Sequence, residues 1–179
     1  MNQAIGVIEF SSIARGIETT DKMLKAAQVK LLKSSTVCPG KYITILGGNV
    51  ESIKTAMGAG QTHGSEYVVD TLEIHNIHNQ LIPAIVQSNC VENMEAIGVM
   101  EFFSVTSGIM AADVAAKAAE IVLIEIKIGY AIGGKGAVLL TGNLEAVNTA
   151  VRAACTDSDM LLQISVIARP EKSLIEMLI

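Results

Sequence analysis

The chain has 179 residues, a formal net charge of −5, half its residues hydrophobic and only 17% charged, with no Trp, three Phe and three Tyr. Without a basic stripe or rings on which bases stack it does not read as a nucleic-acid binder, its apolar runs are too short to span a bilayer, and its three cysteines suggest no disulfide framework. A mean hydropathy of +0.46 with so few charges predicts that part of the surface is covered by subunit contacts.

Met1-Asn2-Gln3 lacks the basic opening of a signal peptide, which predicts a cytosolic protein. Ala4 to Phe10 is short, apolar and β-branched, as suits a buried strand. Ser11 and Ser12 offer N-caps for a helix over 12–27, with Ile13, Ile17, Met23, Leu24 and Ala27 near helical spacing. A second strand is expected over Val29 to Leu32 and a turn over Ser34 to Lys41, punctuated by Pro39-Gly40. Tyr42 to Leu46 reads as a third strand and Gly47-Gly48 as a tight turn. Asn49 caps a helix carrying Val50, Ile53, Ala56 and Met57, and a fourth strand runs from about Val68 to Ile77.

The chain then repeats itself. Residues 4–27 and 96–119 align without a gap, and 13 of the 24 positions are identical, including Gly6/Gly98, Glu9/Glu101, Gly16/Gly108, Asp21/Asp113 and Lys25/Lys117. Gly48-Asn49-Val50-Glu51 returns as Gly142-Asn143-Leu144-Glu145. The second copy is expected as strand 96–102, helix 104–119, strand 121–128, loop 129–136, strand 137–141, helix 143–155 and strand 161–167. Two copies of one β-α-β-β-α-β unit predict an α+β chain of two tandem ferredoxin-like domains. They occupy 1–88 and 94–179, with a linker over 86–95 and a short segment after each copy.

The repeated A-I-G-x-[IM]-E-F, the Asp21-x-x-x-Lys25-Ala26-Ala27 run, the Gly-Asn turn into a helix and the ending Val166-Ile167-Ala168-Arg169-Pro170 resemble bacterial microcompartment shell domains. The resemblance covers nearly the whole chain, twice, in unpermuted order. It implies a non-enzymatic shell tile in which three tandem chains build a pseudohexameric trimer that meets other shell proteins. Thr36-Val37-Cys38-Pro39-Gly40-Lys41 is most similar to the iron–sulfur tandem shell proteins of propanediol-utilisation compartments. That likeness implies three Cys38 thiolates around a central [4Fe–4S] cluster, with electrons or the cluster crossing the shell and encapsulated redox enzymes as further partners. Taken alone, Cys38 reads as a small buried hydrophobe.

By the same resemblance Val37, Pro39, Gly40 and Lys41 line the pore with Ile132, Gly133, Gly134 and Lys135 of the second copy. Lys41 and Lys135 either make the approach electropositive or are solvated loop charges. Lys25, Lys117 and Arg169 correspond to tile-edge contacts. The first copy has Asn79-Gln80 where an Arg-Pro pair is expected, and Cys90 and Cys155 read as structural.

Two rival motifs have the wrong context. Gly129 to Gly136 opens like a phosphate-binding loop, but Gly136 stands where Ser or Thr should be, and a strand follows instead of a helix. His75 and His78, three apart on an extended strand, point to opposite faces. Glu9 and Glu101 lie in apolar strands and match by repeat, so they are expected to share a structural role; no catalytic constellation stands out. The alternatives to a cluster-bearing tile are a tile with a gated metabolite pore and no cluster, and a nucleotide-binding regulatory protein.

Overall fold

The structure is a computed structural model describing every residue except Met1, Asn2, Cys90, Glu92, Asn93, Asp157 and Ile179. It divides into two compact units, Met1–Ile77 and His78–Ile179. The first runs β1 (Ala4–Phe10), α1 (Ile13–Ala26), β2 (Lys30–Val37), β3 (Lys41–Gly48), α2 (Val50–Gly64) and β4 (Val68–His75). The second opens with a short helix α3 (Leu81–Ile85) and repeats the pattern as β5 (Ala96–Phe102), α4 (Val105–Ala118), β6 (Val122–Ile128), β7 (Gly136–Gly142), α5 (Leu144–Cys155) and β8 (Leu161–Ala168). A last helix, α6 (Lys172–Leu178), follows.

Each unit is an antiparallel four-stranded sheet, in the order β2-β3-β1-β4 and β6-β7-β5-β8, with two helices packed on it. The central strands are β1 and β3 in one unit and β5 and β7 in the other. Every residue of β1 is buried, which its run of apolar side chains requires. Side-chain oxygens of Ser12 and Asn49 accept the N–H groups of Arg15 and Ser52, at 3.3 and 2.8 Å, and so start α1 and α2. Ser104 and Asn143 do the same for α4 and α5.

The first core gathers Ile8, Phe10, Met23, Leu46, Ile53 and Met57. Truncating one of these large side chains to alanine would cost about 2–5 kcal/mol. Gly6 lets α2 lie against β1, because a Cβ there would stand 2.7 Å from Met57 Sδ.

Three expectations change. Strand β2 extends through Val37, so Ser34–Thr36 are ladder and the turn shrinks to Cys38–Gly40. An edge strand tolerates polar residues, and the Ser34 hydroxyl finds the Tyr42 hydroxyl at 2.7 Å. Gly47 and Gly48 are not a turn but the end of β3, pairing with Ile5 and Ala4; Leu32 packs over Gly47 where a side chain would stand. Residues 78–88, expected as the tail of the first domain, belong to the second unit because their hydrogen bonds lie there. Asp113 accepts the His78 N–H at 2.7 Å, and the Asn89 amide donates to the Leu123 carbonyl.

Candidate functional site: the strand-connecting loops

Cys38 sits in the three-residue turn between β2 and β3. Val37 is buried below it, Cys38 is half-buried and free, and Pro39 and Gly40 are exposed. The Cys38-Pro39 peptide is cis, and Gly40 closes the turn at φ 82° with its N–H on the Val37 carbonyl at 3.1 Å. A Cβ at Gly40 would meet nothing within 4 Å, so this glycine is required by its left-handed backbone and not by crowding within one chain. The half-buried thiol is therefore carried on a tight turn that is open on its Gly40 side.

The corresponding loop of the second copy, 129–135, is built by backbone bonds from Gly129 N–H to the Lys135 carbonyl, 3.0 Å, and from Gly134 N–H to the Gly129 carbonyl, 3.2 Å. Four of its residues, Gly129, Ala131, Gly133 and Gly134, have positive φ. Gly133 is exposed, Ile132 is half-buried and Gly134 is buried, so this loop offers less glycine surface than its sequence suggests. Tyr130, which sequence reasoning passed over, is its most prominent side chain at 76% exposure.

The two loop lysines have partners. Lys41 Nζ lies 2.8 Å from Glu9 Oε1, and Lys135 Nζ lies 2.6 Å from Glu101 Oε1. Both glutamates near the ends of β1 and β5 thus hold the lysine of the neighbouring loop in their own unit, and each cation's charge is compensated. The Lys135 contact is a directed hydrogen bond. Glu9 Oε1 has no hydrogen-bond partner among the described residues and is met by Lys41 as a charge alone. The signal for these pairs was an ionisable residue kept at the same place in two apolar strands, since a buried carboxylate needs a cation.

Sequence and fold comparisons agree with this architecture. The BMC domain model matches residues 4–77 and 96–170. The chain is 41% identical to bacterial microcompartment shell protein PduT of Citrobacter freundii over 177 residues, 97% of this chain and 96% of that one. The chain belongs to the bacterial microcompartment shell proteins. A crystal structure of a microcompartments protein from Desulfitobacterium hafniense DCB superposes with a TM-score of 0.94 at 41% identity, covering 98% and 99% of the two chains. Shell protein EutK of Escherichia coli K12 matches over 60 residues at 33% identity, 34% of this chain and 36% of EutK. The fused permuted hexameric shell protein MSM0275 from the RMM microcompartment shares the fold with a TM-score of 0.61 at 22% identity, over 85% and 81% of the chains.

This shell protein is a structural, non-enzymatic component of the microcompartment shell in the cytoplasm and assembles with other shell proteins. No described helix is long and apolar enough to cross a membrane. Lys25 bonds Asp21 at 2.7 Å one turn earlier on α1, and Lys117 bonds Asp113 in the same relation on α4, so the Asp-x-x-x-Lys run is an i,i+4 ion pair in both copies. Arg169 is exposed, with φ 50° and its N–H on the Glu95 carbonyl at 2.9 Å. Its repeat counterpart is Asn76, φ 55°, because His75 and Ala168 end β4 and β8 opposite Ala4 and Ala96. The position matching Arg-Pro is therefore Asn76-Ile77 and not Asn79-Gln80.

β4 ends at His75, so His78 is not on the strand: its Nδ1 accepts the Gln80 N–H at 3.4 Å, while His75 sits 3.6 Å from Glu73. Among the described residues no group of three or more His, Cys, Asp or Glu is placed to hold a metal ion. Gly136 begins β7, so the loop before it leads into a strand and offers no helix N-terminus to a phosphate. Cys155 closes α5, and burial pushes its thiol pKa up; Cys90 lies outside the described residues.

Proposed function

We propose that the chain forms a homotrimeric, pseudohexameric tile whose threefold axis gathers three Cys38 thiols into a [4Fe–4S] site. One observation carries the reading: Cys38 is a free, half-buried thiol on a tight turn beside the open Gly40, while among one chain's described residues no group of three or more His, Cys, Asp or Glu could hold a metal ion. A single sulfur per chain becomes a ligand set only when identical chains meet, and three thiolates leave one cluster iron for an exchangeable ligand. The donor chemistry and the room above Gly40 both fit the group.

Bound there, a [4Fe–4S] cluster supplies one-electron transfer across the shell between cytosol and lumen. The chain's own part is to hold and orient. Val37 anchors the turn, and Gly40 supplies the left-handed backbone that lets it reverse. Glu9 and Glu101 compensate Lys41 and Lys135, so the neighbourhood of the site carries little net charge. Pro39, Gly133 and Ile132 then line the opening as uncharged surface. The electron donors and acceptors would be encapsulated or cytosolic redox proteins.

Anaerobic purification with iron, sulfide and native mass measured on one sample tests this. The expected result is four iron and four sulfide per trimer, with Cys38→Ser giving a colourless trimer of unchanged mass. A Cys38→Ser protein that keeps its brown absorption and iron overturns the ligand assignment, and an iron-free wild-type trimer leaves the axis as a metabolite conduit.

A further inference from the structure

The two strand-connecting turns are repeat counterparts of unequal length. Val37 pairs with Lys41 across β2 and β3, and the Gly129 N–H bonds the Lys135 carbonyl at 3.0 Å across β6 and β7. Both lysines are held by the glutamate of the adjoining strand, Glu9 or Glu101, so the two turns start and finish at equivalent places. Residues 38–40 fill the first turn and residues 130–134 the second. Counted from the strand that enters, Tyr130 takes the place of Cys38, and the extra residues of the longer turn follow it.

Tyr130 is the most exposed aromatic side chain among the described residues, at 76% against 60% for Phe103, 37% for Tyr67 and 9% for Tyr42. It is presented at a fixed point. Besides the Gly129 bond, the Gly134 N–H bonds the Gly129 carbonyl at 3.2 Å and the Tyr130 N–H bonds the Ile128 carbonyl at 2.6 Å. Directly after the ring, Ala131 takes φ 58°, a left-handed backbone that a residue with a side chain rarely adopts, so the loop spends strain at this point.

One exposed ring on a single chain needs no partner, but a threefold tile multiplies it. By the pseudosixfold symmetry of the tile proposed above, equivalent positions of the two copies alternate about the axis, so three Tyr130 side chains face it between three Cys38 side chains. We propose that the three Tyr130 rings of a tile meet over the Cys38 site and close its opening, so that whatever reaches the thiols, or a cluster held on them, passes between the rings. A phenol side chain is several bonds longer than a thiol's, so three rings can span an opening that three thiols leave open. Both loop lysines are compensated, and Ile132, Gly133 and Gly134 carry no charge, so no like charge from this loop keeps the rings apart. Rings brought together in this way pack offset or edge to face.

This inference rests on the trimer reading, and its test separates the two without needing a cluster. On chelator-stripped trimer verified by sedimentation, ruthenium-sensitised photo-oxidation joins tyrosines whose rings touch. Wild type should give covalent dimers with dityrosine fluorescence, Tyr67→Phe should give the same, and Tyr130→Phe should give none. Access is read on the same samples as the rate at which a bulky maleimide alkylates Cys38, located by peptide mapping, with Cys155 as the internal standard. Tyr130→Ala should speed Cys38 labelling roughly tenfold, the rate equivalent of one aromatic contact, and Tyr130→Phe should stay within about twofold of wild type. Cys155 should label at an unchanged rate in both. Tyr130 is exposed in the single chain, so circular dichroism should be unchanged; should Tyr130→Ala dissociate, Tyr130→Leu takes its place. A trimer that does not cross-link through Tyr130, or that labels Cys38 equally fast with the ring and without it, overturns the closure and leaves the trimer and its cluster standing; a monomeric wild type overturns both.

Discussion

Lys41→Met offers the sharpest check on how the Cys38 turn is held. Glu9 has 6% of its side chain exposed and Lys41 24%, and that lysine is the only charge within ion-pair distance of Glu9 among the described residues. Removing it strands a carboxylate in a site water barely reaches, which costs about 3 kcal/mol by the measure of broken buried pairs. The repeat supplies its own control. Glu101 and Lys135 are 36% and 34% exposed, so either partner of that pair can return to water, and Lys135→Met should cost about 0.5 kcal/mol. In thermal melts at matched protein concentration, Lys41→Met should lower the first unit's transition by roughly 12–24 °C and Lys135→Met the second unit's by about 2–4 °C. Adding Glu9→Gln to Lys41→Met should recover more than half of the loss, since the stranded charge is then gone. Equal destabilisation by the two lysine substitutions, or no recovery in the double variant, would refute burial as the deciding difference.

Gly136→Ala should destabilise by about 3 kcal/mol in urea titrations and Gly6→Ala by about 1 kcal/mol. A Cβ at Gly136 meets the Ser104 carbonyl oxygen at 2.8 Å, which is backbone, whereas at Gly6 it meets the flexible Met57 side chain; the reverse order would contradict this. Leu81→Ala, at a fully buried site, should cost about 2–5 kcal/mol in the second unit's transition although the residue follows the first copy. A shift confined to the first unit would place that segment wrongly. Cys155, its thiol pKa raised by burial, holds less thiolate than a free cysteine below that pKa. Its alkylation by iodoacetamide at pH 8 should be slower than that of a free thiol and should speed up as pH rises; labelling at the free-thiol rate contradicts the burial.

Much of this was legible in the residues. Duplication fixed two equal units, because identical Gly6/Gly98, Asp21/Asp113 and Asn49/Asn143 repeat the same close approach, ion pair and helix cap. Helix starts were readable since a cap is a local contact spanning three residues. Strand ends were less so. Ser34–Thr36 and Gly47-Gly48 carry turn composition, yet β3 and β1 pair with them, and pairing is decided by a neighbour far along the chain.

What the sequence determined by itself is the element order, the two-unit plan and the lone Cys38 on a tight reversal, all set by short-range chemistry and repetition. Only the tertiary structure decided which charges are compensated and to which unit residues 78–88 belong. Asp21 and Asp113 are the same residue in the same motif, and one is exposed while the other is buried under a backbone N–H. That difference depends on what packs against each edge, which no local pattern encodes.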